Sequence, residues 1–505
     1  MATTTDTLIQ PGFLKIEKAE IYSPGSQIRL DVQKLIVEID ICDALNEPFT
    51  TCNVMLNDGF SLFTLLPLTG DETFTITASI PHPAYPTKLD KVFRVISIQD
   101  MTNTNQVRNA AFVMRCILPE AFKNWTTRIR KSYSEITIAD MVKKVAKDFL
   151  NIDVTTQPLA NTTPTSGIRI SPTEGTRTIV IPNMYPARAL RFLAREAKAA
   201  PVKDAAGNSM TDSFPPSNFV FFGGIGGYFF KTIEELLTQL PDDKYFVTEK
   251  NFFPGGLLAC TNPGLLGTNS ASDLLNQVGN NPFVGQKPYE FMKINSWRVL
   301  SMFSLEGNLQ RGAFDNTVFS LDPSLSLFDK KTYNYNKDYA TFKRTDRTGG
   351  KVVYEQSDLT KLTGASHQRM IFTNKDSGDQ KPEFLHLLAA SAGMIDFVTI
   401  EITVPGDVTR RVGDIVRIGL PEFSAFDNTI SKENLFLAGD WLVTAVKHIY
   451  NPKAPNGYQL VMECVKNSFK NKPEDSAKLR EGGAASGTAQ QAPPTTPTVT
   501  SGTNQ

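Results

Sequence analysis

Metal, nucleophile and phosphate chemistry each require particular residue types at particular spacing, and this chain has few of them. It has four histidines, His82, His367, His386 and His448. None forms HxH, HxxxH or HExxH, the spacings that would turn two imidazoles toward one zinc ion. His448 falls inside an alternating strand and reads as a hydrogen-bonded structural histidine. The five cysteines, Cys42, Cys52, Cys116, Cys260 and Cys464, are widely spaced and include no CxxC. They read as reduced, mostly buried thiols, which fits assembly in a cytoplasm. No GxSxG elbow and no EF-hand loop is present. The glycines at 223–227 lead into the aromatic residues Tyr228, Phe229 and Phe230, and no glycine precedes Lys231 and Thr232. That pattern makes a hairpin with a glycine turn, not a phosphate loop. The carboxylates are scattered, and no Asp/Glu pair is marked for glycoside hydrolysis. Trp125, Trp297 and Trp441 have the right faces to stack on sugars, but all three read as core residues. No catalytic, cofactor-binding or metal-ligating residue emerges. The expectation is a protein that is not an enzyme and takes no cofactor.

The elements around these residues must therefore carry the function. At 505 residues the chain is too long for one core, so several domains are expected. Lys+Arg total 52 and Asp+Glu 52, which argues against a general polyanion binder. The 33 phenylalanines suit packed cores and subunit interfaces alike. The N-terminal residues lack the basic and apolar regions of a signal peptide, and no run reaches the ~18 apolar residues of a membrane helix. Export by the usual route and membrane insertion are not expected.

The stretch 397–465 is the organising pattern. Val398, Ile400, Ile402 and Val404 alternate with Thr399, Glu401 and Thr403, and turns at 405–407 and 412–414 separate further strands at 415–418, 441–450 and 458–465. Residues 12–119 repeat the style as a first β-barrel, with a helical turn at 60–66 and its clearest strand at 73–80. The outward row of that strand, Thr73, Thr75, Thr77 and Ser79, is a candidate polar channel wall, with a plain solvent face as the equal alternative. Residues 120–176 form a helical connector. Thr137 and Asp140 approximate a capping box there, and Lys143, Lys144 and Lys147 lie on the solvated face. Residues 177–240 read as the first part of a second barrel. Its helix begins at Pro186 and bears the basic stripe Arg188, Arg191, Arg195 and Lys198, read as a solvated face with docking to an acidic neighbour as the alternative. Residues 241–384 read as an insertion, 385–468 as the second part of the second barrel, and 469–505 as a disordered tail.

Several segments in chain order resemble the baseplate central hub proteins of contractile-tailed bacteriophages. They are LDVQKLIVEID at 30–40, PFT at 48–50, LND at 56–58 and LPLTGDE at 66–72. GAFDNTV at 312–318 within 307–323, VGDIV at 412–416 and AGDWLVTAVKH at 438–448 follow. The resemblance spans roughly residues 13–466. It implies a mainly β fold with α insertions (α+β), built of two tail-tube-like antiparallel β-barrel domains with connector and insertion domains. It also implies a homotrimer forming a pseudo-sixfold ring. Such a ring joins the tail tube protein to the central spike protein, contacts other baseplate (wedge) proteins, and lets tape-measure protein and DNA pass without sequence-specific binding. The implied location is the tail baseplate of a virion, assembled in the host cytoplasm. The alternatives are the hub of a phage-derived contractile injection system, a tail-associated cell-wall hydrolase and a carbohydrate-binding tail protein.

Overall fold

The computed structural model describes residues 12–469, leaving out 60–61, 63–65, 67, 83–84, 104–109, 156–166, 202–216, 240, 242, 247–288, 340–341, 346–366, 421–433, 435 and 455–456. The chain is mainly β with α insertions, as the sequence implies. The first half holds β1 (Lys15–Ser23), β2 (Ile28–Asp31), β3 (Ile36–Ala44), β4 (Thr51–Asp58), β5 (Thr73–His82), β6 (Tyr85–Asn103) and β7 (Ala110–Ile117). Alternation decides each face: Phe74, Ile76, Ala78 and Ile80 of β5 are buried, while Thr73, Thr75 and Ser79 are half-buried on the other side. Fully burying each large aliphatic or aromatic side chain stabilises by roughly 1.5–3 kcal/mol. The strand expected at 92–98 is far longer. β6 pairs β5 through Tyr85 to Arg94 and β7 through Arg94 to Asn103, so it serves two leaves, bending at a bulge between Val95 and Ser97. Most of the helical turn expected at 60–66 lies outside the described residues. One piece of it is described: the Leu62 N–H donates to the Asp58 carboxylate at 2.6 Å and the Leu66 N–H to the Leu62 carbonyl at 2.7 Å.

The connector follows as α1 (Pro119–Thr126), β8 (Ile129–Ile136), α2 (Ile138–Val145), β9 (Ile168–Ile170), β10 (Arg177–Met184) and α3 (Pro186–Glu196). Thr137 caps α2 by accepting from the Asp140 N–H at 3.1 Å, and Lys143, Lys144 and Lys147 are exposed. β10, expected within the second barrel, pairs with β8 instead. The glycine hairpin forms as β11 (Phe219–Gly224) and β12 (Gly227–Thr232), and β12 also pairs β9 in parallel. α4 (Ile233–Leu237) starts at the Thr232 cap expected from its sequence.

The stretch read as an insertion divides. β13 (Asp243–Phe246) and β14 (Ser296–Ser301) join the main sheet, against β19 and β18 defined below. The remainder is an arm: α5 (Leu305–Arg311), β15 (Asp315–Asp322), β16 (Leu327–Asn334), β17 (Gln368–Phe372) and α6 (Lys381–Met394), with a three-stranded sheet ordered β16-β15-β17. Its core is largely aromatic. Tyr333, Tyr335 and Tyr339 are fully buried, with the Tyr335 and Tyr339 rings stacked at 4.6 Å. Tyrosines at mixed spacing gave no readable period.

The last strands are β18 (Val398–Pro405), β19 (Ile415–Gly419), β20 (Gly439–Tyr450) and β21 (Tyr458–Lys466). Among the described residues the two halves are not separate sheets. One 13-stranded sheet runs β14-β18-β21-β20-β3-β4-β7-β6-β5-β1-β2, with β19 beside β20 and β13 beside β19. One hydrophobic cluster fills the first half and the connector, and another, around Trp441, fills the second half.

Candidate assembly surface

No group of three or more His, Cys, Asp or Glu side chains able to hold a metal is found among the described residues. The histidines do not converge. The His448 Nδ1 lies 2.9 Å from the Tyr458 hydroxyl, and burial pushes its pKa down to about 4. Burial also lowers His386, and the Nε2 of His367 accepts from Arg369 at 3.1 Å. The His82 side chain lies outside the described residues. Cys52, Cys116 and Cys464 are buried free thiols and Cys42 a half-buried one, while Cys260 falls outside the described residues. Trp441 is fully buried and donates to the Leu437 carbonyl at 3.0 Å. Trp297 is half-buried. Trp125, read as core, is 48% exposed, because α1 turns that face away from the connector core.

What the structure does bring together is a repeat. The strand order β3-β4-β7-β6 of the first half matches β14-β18-β21-β20 of the second. The short run VMRC at 113–116 and the run VMEC at 461–464 occupy the same place. In the first, Val95 faces Cys116, one residue bulges, and Ser97 faces Arg115. In the second, Val443 faces Cys464, one residue bulges, and Ala445 faces Glu463. The outer leaf agrees. Phe93 faces Phe74 where Trp441 faces Val416, and all four are fully buried. The Val95 N–H donates to the Glu72 carbonyl at 2.9 Å, and the Val443 N–H to the Asp414 carbonyl at 3.0 Å. Three identities in four residues, 348 positions apart, are too little to detect in the sequence, but the paired bulges make the correspondence residue by residue.

The two units join edge to edge. β20 pairs β3 antiparallel from Ala445 opposite Ala44 to Tyr450 opposite Ile39. Lys447 Nζ lies 2.8 Å from the Asp40 carboxylate across the seam, and the Leu45 N–H extends the seam by donating to the Thr444 carbonyl at 2.8 Å. The side chain of Leu45 packs on the second core. Asp43 is buried beside the seam, where burial raises its pKa to about 6, although the Thr50 hydroxyl and the Ile225 N–H (2.8 Å) both donate to it. The β11–β12 hairpin seats over the same point. A Cβ on Gly223 would sit 2.4 Å from the Pro48 carbonyl oxygen, so the approach requires glycine.

One face of this eight-strand span packs on the cores. The other is open and carries half-buried or exposed Glu38, Asp40, Asn53, Arg115, Arg298, Glu401, Lys447 and Glu463. A cleft of about 670 Å³ lies on it at the seam, lined in part by Cys42, Arg115, Trp125, Lys447 and Glu463. The row Thr73, Thr75, Thr77 and Ser79 lies elsewhere, on β5 in the outer leaf, with the Thr77 hydroxyl on Asp90 at 3.1 Å and the Ser79 hydroxyl on Glu17 at 2.8 Å. Of the basic stripe, Arg188, Arg191 and Arg195 are exposed. Arg191 donates to the Asn46 carbonyl, and Lys198 is held by Glu174 (2.9 Å) and Glu383 (2.6 Å) of the arm helix. Large apolar side chains are exposed on the arm sheet (Phe328, Met370, Phe372) and at the end of β14 and just beyond it (Leu300, Met302, Phe303).

No protein-family model and no curated protein matches the chain. Solved structures do show a likeness. The tail protein from Neisseria meningitidis MC58 is 10% identical with a TM-score of 0.48, covering 89% of this chain and 96% of that one. The 43 kDa tail protein of prophage MuSo2 from Shewanella oneidensis is 8% identical with a TM-score of 0.46, covering 89% and 98%. The c3393 protein of E. coli, a component of the type VI secretion system with structural similarity to the T4 bacteriophage tail proteins gp27 and gp5, is 7% identical with a TM-score of 0.37, covering 90% and 76%. The structural neighbours of this chain are thus phage tail and secretion-system proteins, at identities and TM-scores that do not by themselves place it in a family.

Proposed function

We propose that this chain is a structural subunit of a contractile-tail baseplate: the hub, which closes as a homotrimer into a ring between the tail tube and the central spike. The observation that carries this reading is the repeat. A chain made of two equivalent four-strand units, already joined edge to edge, turns a threefold assembly into six near-equivalent units. That is what an adaptor between a sixfold tube and a threefold spike requires, and closing the ring pairs the two edges at the ends of the eight-strand span. The sequence resemblance at 30–72, 312–323 and 412–448 points the same way.

In this reading the open face of the eight strands, not the Thr73 row, is the channel wall. Its acidic residues Glu38, Asp40, Glu401 and Glu463 are interspersed with Arg115, Arg298 and Lys447. A polyanion slides past such a mixed wall without the counterion release that makes DNA binding tight. The chain does no chemistry. Its partners are the tube, spike and wedge proteins, and tape-measure protein and DNA pass through the ring. The place of action is the virion tail baseplate, after assembly in the host cytoplasm. The test is the mass of the purified protein by light scattering, with negative-stain images of the same fraction. A trimeric ring with a central hole is expected. A protein that stays monomeric at high concentration and clears peptidoglycan overturns the reading in favour of a tail-associated hydrolase.

A further inference from the structure

We infer that the edge of β6 beyond Val95 receives the β14 edge of a second copy of this chain, antiparallel, in the register of the internal β20–β3 seam. The inference rests on the ring reading and specifies its contact. Through the repeat, β6 corresponds to β20 and β14 to β3, so the pair β6–β14 is the missing counterpart of the pair β20–β3. Among the described residues both edges are open: β14 ends the 13-stranded sheet, and β6 beyond Arg94 pairs only β7. They lie at opposite ends of the eight-strand span and do not pair with each other, and in the ring reading the occupant of each is a second copy.

The register supplies an independent argument. Carrying the seam pair Lys447–Cys42 across the repeat places Gln99 opposite Ser301. Carrying Ile449–Asp40 across places Thr102 opposite Arg298. Between these two pairs β6 has one more residue than β20, at the bulge between Gln99 and Thr102, where Asp100 has φ 54°. β14 has one more residue than β3 in the same interval, at the bulge between Val299 and Ser301. A one-residue insertion on one side alone would turn every following side chain to the wrong face. Here the two insertions face each other and cancel, so the antiparallel register continues without slip.

Exposure agrees with the same occupant. In the same register Met302 and Phe303 correspond to Asp43 and Ala44 of the internal seam, of which Asp43 is buried and Ala44 half-buried, and the next residue, Leu45, packs on the neighbouring core. Beyond β14 the counterparts are left bare: Met302 is 43% exposed and Phe303 64%, while Met101 on β6 is 60% exposed. Both edges thus carry the apolar side chains that a seam buries. The contact is head to tail, and three copies close it.

The test pairs Gln99→Cys with Ser301→Cys in the full-length chain under mild oxidation or a short thiol cross-linker. Cross-strand neighbours lie within reach of both. Covalent dimers and trimers are expected from the double variant and from neither single variant. Hydrogen exchange on the unmodified chain provides a reading that needs no substitution. Amides of 97–103 and 296–301 should exchange at least about tenfold more slowly in the trimer than in dilute monomer, with those of β2 unchanged. A trimer that neither cross-links nor protects these two segments overturns the inference and leaves the ring standing. A chain that never associates overturns both.

Discussion

Replacing His448 with glutamine should remove part of the acid sensitivity of the second half. His448 is fully buried between β20 and β21, and burial sets its folded pKa at about 4 against 6.5 for a free imidazole. The neutral ring is therefore favoured in the folded state, while the unfolded chain takes up the proton. Below pH 6.5 the unfolded state binds more protons than the folded state, so folding stability falls as pH drops and levels off near pH 4. A shift of this size amounts to about 3 kcal/mol across that window. Asp43 acts with the opposite sign. Its folded pKa is raised to about 6, so it favours the folded state increasingly as pH falls from 6 toward 4. Comparing the two proteins cancels Asp43. The difference in unfolding free energy between pH 7 and pH 4.5 should be smaller in His448→Gln than in the unmodified chain by about 2–3 kcal/mol. Gln keeps a group within reach of the Tyr458 hydroxyl, and any static cost of the substitution drops out of the double difference. Urea titrations followed by tryptophan fluorescence measure it, since Trp441 is buried on the same strand, β20. An unchanged acid loss in the variant would show that His448 is not the titrating group.

Glu234, buried under the arm with Ser391 donating to it at 3.1 Å, has its pKa raised to about 8 by burial, so stability tied to it declines as pH rises from 4.5 to 8. Glu234→Gln should gain roughly 4 kcal/mol at pH 8 and almost nothing at pH 4.5, read by the same titrations. Gly223→Ala forces the hairpin off the Pro48 carbonyl, and a loss of about 1–3 kcal/mol with faster exchange of the Ile225 amide is expected. Lys447→Ala should cost less than about 1 kcal/mol, because the lysine of this ion pair is 41% exposed and water screens the attraction. A loss above 2 kcal/mol would mean that the seam depends on that pair.

The strands with clean alternation were legible. Thr73–His82, Val398–Pro405 and Tyr458–Lys466 all announce themselves through inward aliphatic and outward polar residues. Alternation fixes which side chains share a face but not what that face looks at, so for the Thr73 row a channel wall and a plain solvent face were equally legible. Pairing between distant strands was not legible either. Nothing near Arg177 tells that β10 should join β8, and nothing at 296–301 shows that β14 belongs to the sheet rather than to the insertion. The tyrosines of the arm core bury their rings without an apolar period. The assembly surface was the least visible part, because it is written in matching bulges that exist only once strands are paired.

The seam between the halves also sets a timetable. Ala44 and Ala445 are roughly 400 residues apart in the chain, so β3 leaves the ribosome long before its partner β20. At 5–20 residues per second, that edge stays bare for about 20–80 s while the connector and arm are being made. A nascent first half is therefore a sticky intermediate whose open strand can pair with a neighbouring nascent chain. The slow step in making this protein is expected to be the arrival of its last strands, with truncation before residue 439 leaving an aggregating fragment.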